Sequence, residues 1–137
     1  MAGNVERTLQ AMEAWGRQDM ETYRTIYHPD AVLHGLAPVP IDVESAVAGY
    51  RAFFAGFPDL RFEALDTVAD GEKVAVHFQI TGTHTGEFQG IPATGRSMQV
   101  QGMTILQFRD GKVTERWNQL DQMSLLQQLG VIPAPAG

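Results

Sequence analysis

KVAVHFQITGT, residues 73–83, is the stretch that decides the fold. Val74, Val76, Phe78 and Ile80 are apolar at every second position, and Ala75, His77, Gln79 and Thr81 fill the places between. A period of two sends the two sets to opposite faces of a β-strand. Upstream, Leu60–Val68 alternates in the same way, and Ala69-Asp70-Gly71-Glu72 between the two runs reads as a hairpin in which glycine supplies positive φ. Downstream, a glycine-rich excursion over 82–96 leads to a long run, Met98–Arg109, and a final one, Val113–Leu120, joined at Arg109-Asp110-Gly111.

Ahead of these strands the period lengthens to that of a helix. Val5, Leu9, Met12 and Trp15 recur on one side with Glu6, Arg7, Gln10 and Glu13 on the other, until Gly16 breaks the pattern. Asp19 is placed to cap a short second helix carrying Tyr23, Ile26 and Tyr27, which His28-Pro29-Asp30 stops because the residue before proline is pushed out of the α region. A short β-prone run, Ala31–His34, closes at Gly35, and Pro38 and Pro40 hold an extended connector. Asp42 caps a third helix whose buried stripe is Val43, Ala46, Val47, Tyr50, Phe53 and Phe54. Asp121–Leu129 closes the chain as a helix stopped by Gly130 and Pro133, with Pro133–Gly137 as a small-residue tail. Helices first and strands last is the α+β order, so sheet and helices pack as separate layers.

The chain of 137 residues is one domain's worth, and 1–137 is expected to form a single domain with a real core. A hydrophobic share of 44% with 19% charged residues is ordinary globular composition. The net charge of −6 repels phosphate backbones and anionic lipid, which argues against nucleic acid as a partner. Without cysteine there is no disulfide framework, thiolate metal site or cysteine nucleophile. The opening residues lack a basic region followed by an apolar one, and no apolar stretch approaches the roughly 18 residues of a membrane span. No membrane association and a cytoplasmic address are expected.

Several strings, in this order and spacing, carry a family resemblance. They are Tyr27-His28-Pro29-Asp30-Ala31, Phe57-Pro58-Asp59-Leu60, Gly82-Thr83-His84-Thr85-Gly86-Glu87-Phe88 and Gly90-Ile91-Pro92-Ala93-Thr94-Gly95-Arg96. The end of the chain adds Phe108-Arg109-Asp110-Gly111-Lys112-Val113, Glu115, Trp117, Asp121 and Gln128-Leu129-Gly130. Together they resemble the SnoaL-like polyketide cyclases, or ester cyclases, of the nuclear-transport-factor-2-like superfamily. The resemblance covers nearly the whole chain and implies a cone-shaped, curved antiparallel sheet with the N-terminal helices on its concave side. It implies ring closure of a polyketide-like or β-keto ester substrate by intramolecular aldol condensation, without metal or other cofactor. Asp121 matches the family's acid and base, and His34 sits where the pocket often has a histidine. Gln107 departs from the pattern, standing where characterised cyclases tend to have another histidine.

Such chemistry needs a base for a carbon proton, stabilisation of the enolate, and a donor for the oxygen formed on the accepting carbonyl. One carboxyl can serve as base and then acid if burial against apolar surface brings its pKa toward neutrality. In an uninterrupted strand Glu115, Trp117, Gln119 and Asp121 share a face, so Trp117 would supply that surface. The preceding hairpin has two readings. A three-residue loop with Gly111 left-handed brings Met103, Ile105 and Gln107 to the Asp121 face; a two-residue Asp110-Gly111 turn swaps the faces and removes Gln107 from the pocket. The resemblance favours the first. On that reading Trp15, Tyr23, Phe54, Met103, Ile105, Gln107, Trp117 and Gln119 bind the substrate and Asp121 and His34 are catalytic. That lining suits a small hydrophobic ligand with carbonyl edges.

Plainer roles stand beside these. Asp121 directly precedes a helix and is a natural N-cap. His77 reads as an exposed strand residue, and His84 lies in a loop. Gly82, Gly86 and Gly90 lead to Pro92 and a strand rather than a helix N-terminus, so they read as a turn-rich rim and not a phosphate cradle. No histidine pair has metal-ligand spacing on one element. The wider superfamily offers two alternatives: an enzyme resembling a ketosteroid isomerase or epoxide hydrolase, and a non-catalytic ligand-binding dimer. The open sheet of such cones calls for a homodimer or homotetramer.

Overall fold

Five strands form one curved sheet in the computed structural model, which describes residues 3–133. The small-residue tail lies outside the described residues from residue 134 onward. In chain order the elements are α1 (Asn4–Gly16), α2 (Met20–Tyr23), a single 3-10 turn (Arg24–Ile26), β1 (Tyr27–His34), α3 (Val43–Gly56), β2 (Arg61–Asp70), β3 (Lys73–Thr83), β4 (Ser97–Arg109), β5 (Lys112–Leu120) and α4 (Gln122–Gln128). The sheet order is β1-β5-β4-β3-β2, antiparallel except that the edge strand β1 runs parallel to β5. This is the α+β cone expected, with one parallel pair added at its edge.

The inner face of the sheet is the alternating set read from the sequence. Val74, Val76, Phe78 and Ile80 of β3 are all buried, as are Val100, Leu106 and Phe108 of β4. Met12 and Trp15 of α1 and Val47, Tyr50 and Phe54 of α3 close onto them. Leu33, Phe57, Leu106 and Phe108 are fully enclosed, each worth roughly 1.5–3 kcal/mol relative to exposure. Three aspartates set where helices begin. Asp19, Asp42 and Asp121 accept the backbone N–H of Thr22, Ser45 and Ser124 at 3.2, 2.8 and 3.0 Å. No helix among the described residues is long and apolar enough to cross a membrane.

Two local readings are corrected. Tyr27 belongs to β1 rather than to the second helix, which is only one turn long before the 3-10 turn ends at Ile26. Pro29 forces His28 to be extended, and an edge strand tolerates the proline. The register shift between Tyr27 and Val32 absorbs it. The second correction concerns the last hairpin. Arg109 pairs with Lys112, and both residues between them, Asp110 (φ 53) and Gly111 (φ 78), are left-handed. This is the two-residue turn, whose twist matches that of the flanking strands. A bulge follows, with Gln107 opposite Glu115 and Phe108 opposite Val113.

Candidate active site

Burial of the more apolar, even-numbered side of β4 decides which side chains of β4 and β5 point inward. Arg116, Asn118 and Leu120 face the helices, while Glu115, Trp117 and Gln119 face away. Between the inner face, α1 and α3 lies a cavity of about 310 Å3, within the size range of small-molecule sites. Its wall is mostly aromatic and aliphatic: Met12, Trp15, Phe53, Phe62, Phe78 and Ile80. Trp15 is held edge-on by Tyr50, Phe54 and Phe62, with ring centroids 5.7, 5.0 and 5.9 Å away. At the mouth, Gly35 (φ 84) lets β1 pass close to β5, since a Cβ there would lie 1.8 Å from the Asn118 carbonyl oxygen.

The polar groups of the lining are Tyr50, Arg116, Asn118, Gln89 and Gln122. Arg116 is 5% exposed and none of its partners is charged. Its Nε donates to Thr104 Oγ1 at 2.8 Å, Nη1 to the hydroxyls of Tyr23 and, at 2.8 Å, Tyr27, and Nη2 to Asn118 Oδ1 at 3.3 Å. The tyrosine hydroxyls also bond one another, Tyr23 to Tyr27 at 2.6 Å and Tyr23 to Tyr50 at 3.2 Å. Burial pushes the Tyr23 hydroxyl well above the ordinary tyrosine value against the pull of Arg116, and raises Tyr50 likewise. Both are neutral at physiological pH. Burial also opposes the Arg116 charge, but the three hydroxyls outweigh it and keep the guanidinium protonated.

The structure separates the expected site residues. Trp15 lines the cavity. Tyr23 and Phe54 are buried one layer behind it, Tyr23 against Arg116 and Phe54 against Trp15. Met103, Ile105 and Gln107 share a face with Trp117 and Gln119, because the bulge restores the parity that the two-residue turn alone would have swapped. That face is the outer one, since the more apolar even-numbered set of β4 is buried against the helices. His34 is also on the outer face, its Nε2 2.6 Å from Glu115 Oε2 and its ring stacked on Trp117 at 5.5 Å and 9°. Asp121 is exposed, with its carboxylate on the Ser124 amide, and the apolar burial against Trp117 is absent. It still adjoins the cavity through its chain neighbours, since Leu120 and Gln122 both belong to the lining. Asp121 is not itself part of the lining, but among the described residues it is the one carboxylate flanked on both sides by lining residues.

Arg116, Asn118 and Tyr50 are the residues that sequence reasoning missed at this site. A signal existed for the first two. The even positions of β4 read Met98, Val100, Gly102, Thr104, Leu106 and Phe108, whereas the odd ones include Gln99, Gln101 and Gln107. The even set is the more apolar face and therefore the inner one. Pairing Leu106 with Arg116 and Thr104 with Asn118 then turns both inward. The loop over 84–96 is the rim element expected, and its anchor is His84. That ring is fully buried against Phe57, and its Nδ1 accepts the Thr94 N–H at 3.2 Å.

Comparison with known proteins agrees with this architecture. The chain is 26% identical over 146 residues to the aklanonic acid methyl ester cyclase DnrD of Streptomyces peucetius, covering all of this chain and 98% of that one. Among solved structures, IdmH of Streptomyces antibioticus, provisionally assigned as a polyketide cyclase, superposes with a TM-score of 0.85. It is 32% identical over 95% of this chain and 100% of its own. AclR of Streptomyces galilaeus, provisionally assigned as a hydroxylase, superposes with a TM-score of 0.89 at 29% identity over 97% of this chain and 84% of its own. The family model for SnoaL-like polyketide cyclases matches residues 6–129, so the chain belongs to the SnoaL-like polyketide cyclase family and is an enzyme of cyclase type.

Proposed function

We propose that the protein closes a ring of a polyketide-derived β-keto ester by intramolecular aldol condensation, with no cofactor and with Asp121 as acid and base. The observation that carries this reading is the apolar cavity of about 310 Å3 with a polar floor, which suits a planar hydrophobic body bearing carbonyl oxygens. A substrate folded inside it has its two reacting carbons held together, which in favourable cases removes roughly 7–11 kcal/mol of barrier. Asp121, between the lining residues Leu120 and Gln122, exchanges its bond with the Ser124 amide for the carbon proton of the substrate. The enolate carbon then attacks the internal carbonyl carbon. A C–C bond forms, the carbonyl oxygen becomes an alkoxide, and the carboxyl returns its proton to that oxygen. No atom is gained or lost.

Asp121→Asn tests the assignment cleanly, because asparagine also caps helices and leaves α4 in place. With aklanonic acid methyl ester as trial substrate, the variant should bind normally and lose at least about 100-fold in kcat. Full turnover by Asp121→Asn would leave the aspartate as a helix cap only.

The outer face carries a further part of the proposal. Ile105 and Trp117 are paired across β4 and β5, with Met103 beside them, and all three are exposed. This apolar patch is closed by a second copy of the chain, giving the homodimer or homotetramer.

A further inference from the structure

At the floor of the cavity Arg116, Tyr50 and Asn118 present hydrogen-bond donors. A guanidinium has five N–H groups and no acceptor. Arg116 spends Nε on Thr104, Nη1 on Tyr23 and Tyr27, and one N–H of Nη2 on Asn118, which leaves the second Nη2 hydrogen without a partner among the described residues. Because Asn118 turns its Oδ1 to that donor, its amide NH2 is directed elsewhere and has no partner there either. The Tyr50 hydroxyl receives from Tyr23 at 3.2 Å and from Arg116 at 3.5 Å, so its own hydrogen is also free. Tyr50, Arg116 and Asn118 all line the cavity.

The charge balance points the same way. Arg116 is buried, and no carboxylate pairs with it among the described residues. A buried cation without a counter-charge is costly, and the neutral hydroxyls that stabilise Arg116 supply dipoles, not a balancing negative charge. An anion entering the cavity supplies the missing charge beside a buried guanidinium, where electrostatic attraction is stronger than at the surface.

We propose that Arg116, Tyr50 and Asn118 form an oxyanion-binding floor, so that the substrate is held as an enolate or phenolate, an oxygen-centred conjugate anion on a planar apolar body. The inference rests on this cavity being the substrate site, and it deepens that reading by naming the charge state recognised. Arg116 and its two neighbours lower the energy of the enolate that proton removal creates. They also select substrates acidic enough to form one.

The test uses 4-nitro-1-naphthol, whose ionised form absorbs visible light, and its methyl ether, which cannot ionise. Wild-type protein should make the bound naphthol at least about tenfold more acidic than the free one, and should bind the naphtholate at least about tenfold more tightly than the ether. In Arg116→Gln the preference should fall below about threefold. Tyr50→Phe should weaken naphtholate binding several-fold and lower the preference over the ether to a value between those of the wild type and Arg116→Gln. If Arg116→Gln does not fold, the two wild-type titrations decide alone. Equal binding of anion and ether by the wild type, or no binding of either near 1 mM, overturns the inference. A wild type that prefers the naphtholate but converts no β-keto ester fells the cyclase reading and leaves this one standing. A wild type that cyclises but does not discriminate does the reverse.

Discussion

Arg116 Nη1 donates to the Tyr27 hydroxyl at 2.8 Å, joining β5 to the edge strand β1 through a buried charge that has only neutral partners. The same nitrogen reaches Tyr23, so the tyrosines of the α2–β1 corner are fixed by a residue that also lines the cavity. Fold and site therefore share one hydrogen-bond network.

That network predicts an alkaline limit to stability. Burial raises the folded-state pKa of Tyr23 well above the value near 10 of an unfolded chain, and raises Tyr50 too. A raised pKa means that the native state keeps its proton while the unfolded state loses it. The contribution is complete below about pH 10 and is lost as pH climbs toward the folded values, by up to about 1.4 kcal/mol per pH unit per group. Denaturant unfolding from pH 8 to 11 should show stability falling above pH 10, with a shallower fall in Tyr23→Phe. A flat profile would contradict the buried tyrosine cluster.

The two-residue turn makes its own prediction. Asp110 sits at φ 53, where glycine is at ease and a β-branched residue is strained. Asp110→Gly should leave stability unchanged or raise it slightly, and Asp110→Val should cost about 1–2 kcal/mol. Equal stability of the two variants in urea unfolding would mean that Asp110 is not left-handed.

For the outer face, Ile105→Asp and Met103→Glu place charge in a patch proposed to meet a second copy. Sedimentation velocity at micromolar concentration should show an oligomer for the wild type and a monomer for the double variant, with unchanged circular dichroism. A monomeric wild type would remove the second copy from the account.

Much of this molecule was legible because its signals are local. The β3 strand Lys73–Thr83 falls where the period-two pattern puts it, and Asp19, Asp42 and Asp121 cap helices as their positions imply. The site was less legible because it depends on which face of β4 and β5 is turned toward the helices. Met103, Ile105 and Gln107 share Trp117's face as expected, but the buried even-numbered residues of β4 turn the other face inward, which puts Arg116 and Asn118 inside the cone in place of Trp117. Arg116 was hidden for another reason: arginine is rarely buried without a partner, so in sequence it reads as an outward strand residue. Tyr50 was visible as core but not as a polar group, since its role appears only when Tyr23, Tyr27 and Arg116 meet from three separate elements.

The central claim is that substrate meets the even-numbered side of β5, and two neighbouring residues test it most directly. Asn118 lines the cavity, whereas Gln119 lies on the opposite face. Measured as kcat/KM on a cyclisable β-keto ester, Asn118→Leu should lose at least about 100-fold and Gln119→Leu should stay within about threefold of wild type. The reverse result, with Gln119→Leu inactive and Asn118→Leu unaffected, would place the reaction on the other side of the sheet.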